Sequence, residues 1–276
     1  HQLKALEDSL GLPLVERTAR PLSLTAAGRR LLTLARTALP QVNAALRDLA
    51  KLKDGDAGEL RIAVECHTCY DWLMPAMDSY RDVWPGVELD LLGGFQADPV
   101  GLLLDQQADL VITSETAPRA GVTYAPLFGF EMLALLPPGH PLASKKWLAP
   151  ADFADHTLIT YPVPEDRLDL IRRVLAPAGV KPPRREAQLT VAILQLVASR
   201  RGLAALPAWA VAQYLERGYV VARPIGKHGL WAELYAAVRE TDAARAFVAD
   251  FIDTVKRDSF ARLPGIRADL AAAQGI

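Results

Sequence analysis

The chain has 276 residues, of which 51% are hydrophobic and 23% charged, with a net charge of −1 and two cysteines. That length calls for two or three domains, and no apolar run is long enough for a membrane-spanning helix. The opening HQLKALEDSL does not read as a secretory signal, and Cys66 and Cys69 make no disulfide framework, so a cytoplasmic protein with no membrane partner is expected.

The charge is unevenly spread. Residues 1–53 hold nine Lys/Arg against four acids, a balance of +5, while residues 54–276 carry −6. Any polyanionic partner is expected to meet the basic first fifth of the chain. There, Leu3, Leu6 and Leu10 fall at helical spacing, and Gly11 stands where a helix-ending glycine would. Two β-like runs follow, 14–17 and 22–25, joined by Thr18-Ala19-Arg20-Pro21. A helix followed by a small hairpin with basic residues at its tip is the outline of a winged helix-turn-helix, although many such pieces bind nothing.

Thr25 is placed to cap a long helix from about 26 to 53. Its apolar residues Leu32, Ala35, Leu39, Val42, Leu46 and Leu49 repeat at coiled-coil spacing, and Pro40 should kink it. A band this wide has nothing local to bury against, so pairing with a second copy is expected; packing on its own chain is the alternative. A short linker, 53–58, leads into strand-like runs at 60–65, 87–92, 109–114, 132–137, 157–162, 202–207 and 234–239. Helix-like segments lie between them, at 71–83, 99–107, 165–177, 190–201, 207–217 and 242–260. Such alternation implies parallel sheets with helices on both faces, and ligands at the carboxyl ends of the strands.

The segment LKALEDSLGLPLVERTARPLSLTAAGRRLL (3–32) resembles the end of the DNA-binding domain of LysR-type transcriptional regulators. The matching features are Leu10-Gly11, Arg17, Leu24-Thr25 and Gly28. Later signatures also match: ELRIAV (59–64), LLPPGHPLA (135–143) and LVASRRGLAALP (196–207). Finer text resembles the subgroup of this family that controls methionine biosynthesis and answers to homocysteine. It includes VECHTCYDWLMPAM (64–77), WPGVELDL (84–91), LITYPV (158–163) and GLWAELYAAVR (229–239).

The resemblance implies an α/β effector domain of two Rossmann-like subdomains, like a periplasmic binding protein, preceded by a partial winged helix-turn-helix and a dimerisation helix. The implied boundaries are 1–25 for the DNA-binding remnant and 26–57 for the linker helix. The first effector half is 58–136 with 230–262, the second 137–229, and 263–276 is a tail. Partners implied are promoter DNA, a second or further copies (dimer or tetramer), a small effector and RNA polymerase. His1, Gln2, Lys4, Arg17 and Arg20 would meet DNA. No cofactor and no metal are implied.

For the effector, the family uses the loop after the first strand, which here is Cys66-His67-Thr68-Cys69 opening a helix whose free N–H groups suit a carboxylate. Thr113 and Ser114 end another strand and should face the same cleft. Tyr161, Gln188 and Thr190 would contribute from the second half. Each hydroxyl has a plainer alternative as a helix cap or turn residue. Cys66-x-x-Cys69 is open to three readings: a lining for a sulfur-bearing ligand, a redox pair, or simple packing. A zinc site lacks ligands, because His140, His156 and His228 lie far off in sequence. No catalytic set or phosphate-cradling glycine loop is present.

Two rivals share features of this reading. A solute-binding protein has the effector fold but should carry an export signal and lack the helix at 26–53; a regulator for another small metabolite differs only in its cleft. Because family members have further residues before the point matching His1, residues 1–276 alone are expected to bind DNA poorly. Gel shifts with this polypeptide on promoter DNA check this, and tight sequence-specific shifts would refute it.

Overall fold

A computed structural model describes residues 2–16, 23–36, 38–39, 42, 58–64, 69–93, 98–114 and 116–268. The chain separates into two compact units, His1–Asp56 and Ala57–Ile276.

In the first unit, helix α1 spans Gln2–Leu10 and ends at Gly11, whose φ of +67° is the left-handed conformation glycine adopts without strain. Strands β1 (Val15–Glu16) and β2 (Ser23–Leu24) pair antiparallel, so the expected helix and hairpin both form. The buried Glu7 carboxylate joins them by accepting the backbone N–H groups of Leu14 (2.7 Å) and Val15 (3.3 Å). Thr25 starts the next helix, α2, of which residues 26–36 are described. Its hydroxyl accepts the N–H of Gly28 at 3.0 Å and donates to the Pro13 carbonyl at 2.7 Å. A Cβ on Gly28 would lie 2.0 Å from the Leu14 carbonyl oxygen, so only glycine fits. Leu32, Leu39 and Val42 of the expected seam are exposed in the single chain. Most of the segment from 40 to 57 lies outside the described residues, as do His1, Arg17 and Arg20; Lys4 is exposed on α1.

The second unit is built on one ten-stranded sheet. Its strands are β3 (Gly58–Val64), β4 (Val87–Leu92), β5 (Leu110–Thr113), β6 (Val122–Leu136), β7 (Leu158–Thr160), β8 (Arg184–Glu186), β9 (Leu203–Pro207), β10 (Val221–Pro224), β11 (Leu230–Arg239) and β12 (Ile266–Arg267). The order is β4-β3-β5-β11-β6-β9-β7-β8, with β10 and β12 also on β6. At one end β4, β3 and β5 run parallel, and at the other β9, β7 and β8 do. Between them β6 and β11 are antiparallel over ten residue pairs. The sheet is therefore mixed, where alternation alone suggested parallel pairing.

The helices are α3 (Tyr70–Arg81), α4 (Gly101–Leu104), α5 (Thr190–Ala198), α6 (Ala208–Glu216) and α7 (Ala246–Arg262). The helix expected over 165–177 is replaced by a short 3-10 turn at Glu165–Arg167 and a wide π-type turn at Ile171–Leu175. Pro164 and Pro177 bracket a segment too short to sustain a regular helix.

Aromatic packing fixes the helices to the sheet. Tyr80 of α3 stands edge-on to Phe251 of α7, with ring centroids 5.1 Å apart, and donates its hydroxyl to the Phe247 carbonyl at 3.0 Å. Trp84 donates to Asp250 at 2.9 Å, and Ser79 to the buried Asp258 at 2.6 Å. Trp72 bridges Phe128 of β6 and Trp209 of α6, at 5.5 and 6.3 Å between centroids. No helix among the described residues is long and apolar enough to cross a membrane.

Asp109, just before β5, is the centre of a charge cluster among the described residues. It accepts from Arg61 of β3 at 2.9 and 3.1 Å and from Arg239 of β11 at 2.6 Å. Arg239 also donates to the carbonyls of Leu103 and Ala108, at 3.0 and 2.6 Å. Burial alone would raise the Asp109 carboxyl, but hydrogen bonds from Arg61 and Arg239 outweigh it and hold the group at about 2. A carboxylate with a depressed folded-state value stabilises the fold above its ordinary value, and that contribution is lost as pH falls towards 2. We expect Asp109→Asn to cost about 2 kcal/mol at neutral pH, on the scale of a charge-assisted hydrogen bond in a partly solvated site. Urea unfolding at several pH values checks this: the gap between the two proteins should close below about pH 4.

Candidate functional site

The parallel register places the carboxyl ends of β3 and β5 side by side, with Val64 opposite Ile112. β3 ends at Val64, and Thr113-Ser114 follow Ile112 at the neighbouring strand end. Cys66, His67 and Thr68 lie outside the described residues. Cys69 precedes α3 and is 2% exposed, packed among core residues that include Trp72. Thr113 is fully buried at the last position of β5, and Ser114 beyond it is exposed. Thr113 pairs across the strands with Tyr235, whose hydroxyl donates to Glu233. Burial first, and then Glu233, push the Tyr235 phenol up to about 12, so it stays a donor at neutral pH.

At the other end of the sheet, β7 delivers Thr160 and Tyr161, and β8 leads through 187–189 into α5. Tyr161 and Thr190 are brought together: their hydroxyls share a hydrogen bond of 2.6 Å. Thr190 is buried and is the first residue of α5, after Leu189 at the cap position. Its hydroxyl serves Tyr161 and no side-chain cap forms there. That sets aside the plainer reading of Thr190 as a helix cap. Gln188 is exposed, just outside the helix.

Sequence reasoning missed Arg184. Its Nε donates to Thr160 Oγ1 at 2.7 Å, and its Nη2 donates to the carbonyls of Tyr161 (2.9 Å) and Val163 (2.6 Å). The guanidinium thus braces the strand end that presents Tyr161. In the sequence it stands in an Arg184-Arg185-Glu186 run that looks like a solvated loop, and only the parallel pairing with β7 turns it inward. A cavity of about 30 Å³ opens beneath Tyr161, lined by Met132, Thr160, Asp169, Ile171 and Leu206, with room for about one water molecule.

His140 and His156 meet edge to face, with ring centroids 5.1 Å apart, although they are distant in sequence. Among the described residues no group of three or more His, Cys, Asp or Glu is arranged to hold a metal ion.

Two family models match the chain: the LysR substrate binding domain over residues 53–259, and the bacterial regulatory helix-turn-helix protein of the lysR family over residues 1–29. The HTH-type transcriptional regulator MetR of Haemophilus influenzae is 53% identical over 266 residues, covering 96% of this chain and 86% of the relative. MetR of Escherichia coli K12 is 40% identical over 268 residues, covering 97% of this chain and 83% of the relative. Among solved structures, the regulatory domain of MetR from N. meningitidis superimposes with a TM-score of 0.71 at 55% identity, covering 77% of this chain and 99% of that one. Full-length BenM shares the fold, with a TM-score of 0.65 at 19% identity over 94% of this chain and 86% of that one. These relatives are regulators and not enzymes, and the two family models together match most of the sequence; the chain belongs to the LysR family of transcriptional regulators.

Proposed function

We propose that this LysR-type regulator controls genes of methionine and sulfur amino-acid biosynthesis, with a homocysteine-like amino acid as its co-effector. The names of its relatives at 53% and 40% identity support the pathway. The observation that carries the effector reading is the Tyr161–Thr190 hydroxyl pair, braced by Arg184, at the start of a helix. A nine-residue helix such as α5 presents free N–H groups and a positive end, which suits a carboxylate. A hydroxyl pair sharing one hydrogen bond still has a donor and lone pairs to offer.

In this reading residues 58–136 with 230–262 form one half of the effector unit and 137–229 the other. Ser114 and the segment Cys66-His67-Thr68 face Tyr161, Gln188 and Thr190 across the cleft, backed from the core by Thr113 and Cys69, with β6 and β11 as the hinge. Closure on the ligand alters the angle between halves, and the helix at 26–57 relays that change to a paired copy. Residues 1–25 then meet promoter DNA in a homodimer or homotetramer, in the cytoplasm, where RNA polymerase is the downstream partner.

Calorimetric titration with homocysteine, methionine and cysteine tests this reading. Homocysteine should bind most tightly, and an absence of heat with all three would remove the sulfur amino-acid assignment. Thr190→Val and Thr68→Ala should each weaken binding by about 1.5–3 kcal/mol, the loss of one charge-assisted hydrogen bond. Arg184→Gln should weaken it too, by releasing Tyr161. An affinity unchanged by Thr190→Val would take the α5 start out of the site.

A further inference from the structure

Beyond the region matched by the LysR substrate-binding model, which ends at residue 259, the chain returns to the sheet as β12. There Arg267 pairs with Gly129 of β6, and Gly129 in turn pairs with Glu233 of β11; in the next row Glu131 pairs with Trp231. Paired residues share a face of a sheet, so Arg267, Glu131, Trp231 and Glu233 project to one side. Gly129 adds no side chain to its row. The Arg267 guanidinium reaches across and lies 4.0 Å from the centroid of the Trp231 ring.

Two atoms of that guanidinium, Nε and Nη2, are buried and have no hydrogen-bond partner. These two form the side-on fork that takes a carboxylate in two parallel hydrogen bonds. Glu131 is close enough for its charge to be felt, yet it does not close onto the fork. Burial raises its carboxyl above the ordinary value, and Arg267 pulls it back. Gly229, at φ +76°, has no side chain to keep Glu131 and Trp231 from closing in on the backbone. A Cβ there would stand 2.6 Å from Glu131 Oε1 and 3.0 Å from Trp231 Nε1, so a carboxylate oxygen and an indole N–H converge on one spot. Arg173 steadies the strand by donating to the Trp231 carbonyl at 2.6 Å.

A guanidinium fork and a carboxylate, near each other but not bonded, are complementary to a zwitterion. A simple carboxylate would satisfy the fork but face Glu131; a simple amine would satisfy Glu131 and leave the fork bare. We propose that Arg267, Glu131 and Trp231 form a binding site for the head group of a small α-amino acid, its carboxylate on the Arg267 fork and its ammonium on Glu131. This site draws on other strands than the Tyr161–Thr190 pair and does not rest on the choice of co-effector. Its components lie on β6, β11 and β12, so occupancy would tie the last strand to the central pair.

The test is a fluorescence titration of the full chain with L-alanine, using propionate and ethylamine as matched analogues that lack one charge each. L-Alanine should give a saturable change that is absent in Trp231→Phe. The two analogues should need at least tenfold higher concentration. Glu131→Gln and Arg267→Lys should each weaken L-alanine at least tenfold, with folding verified by thermal unfolding. Glu131→Gln alone decides the matter if Arg267→Lys fails to fold. Thr190→Val should leave the signal unchanged. No saturable change dependent on Trp231, propionate binding as well as L-alanine, or loss of the signal in Thr190→Val would each overturn the site.

Discussion

The antiparallel pairing of β6 with β11 is the contact on which the effector unit depends. Every other strand of the sheet reaches this pair directly or through one or two neighbours: β5, β3 and β4 from one side, β9, β7 and β8 from the other. Two backbones hydrogen-bonded over ten residue pairs resist shear along the strands but tolerate twist. A small change of twist at the centre is multiplied by distance at the outer strands. Three parallel strands at each end then behave as blocks, and their carboxyl ends carry Thr113-Ser114 and Thr160-Tyr161.

Local pattern made much of this legible, and the exceptions share one cause. The α1 helix with Gly11, the hairpin and the Thr25 cap follow from short-range spacing and turn residues, and Gly28 from the family's pattern. β6 was read only over its last residues, 132–137. Pro126 removes a ladder donor and Gly129 interrupts the apolar run. The structure absorbs Pro126 by a register shift between Leu234 and Tyr235, a feature set by the partner strand. β8, β10 and β12 are short strands that exist only because a neighbour is there to pair with.

The candidate site divides the same way. Tyr161 and Thr190, both named from the family's pattern, share a hydrogen bond that the sequence did not suggest. Thr113 is at a strand end as expected, but fully buried. Cys69 is inside the core with Trp72, where nearness to the helix start suggested a place at a cleft mouth. Arg184 and Arg267 were invisible, because one stands in a short charged run and the other in a segment read as a tail. What each does depends on a strand pairing far away in sequence.

Glu7 has a consequence for the DNA-reading end. Its single carboxylate holds the first two residues of the hairpin, Leu14 and Val15, from the middle of α1. The Leu14 carbonyl in turn accepts the Thr25 N–H at 3.0 Å, at the start of α2. Among the described residues, α1, the paired strands and the root of α2 are therefore tied into one piece. A displacement at the root of α2 is passed to β1 by a backbone hydrogen bond, and from β1 to α1 by one carboxylate. The three pieces move together, and substitution of Glu7 or Thr25 loosens all of them at once.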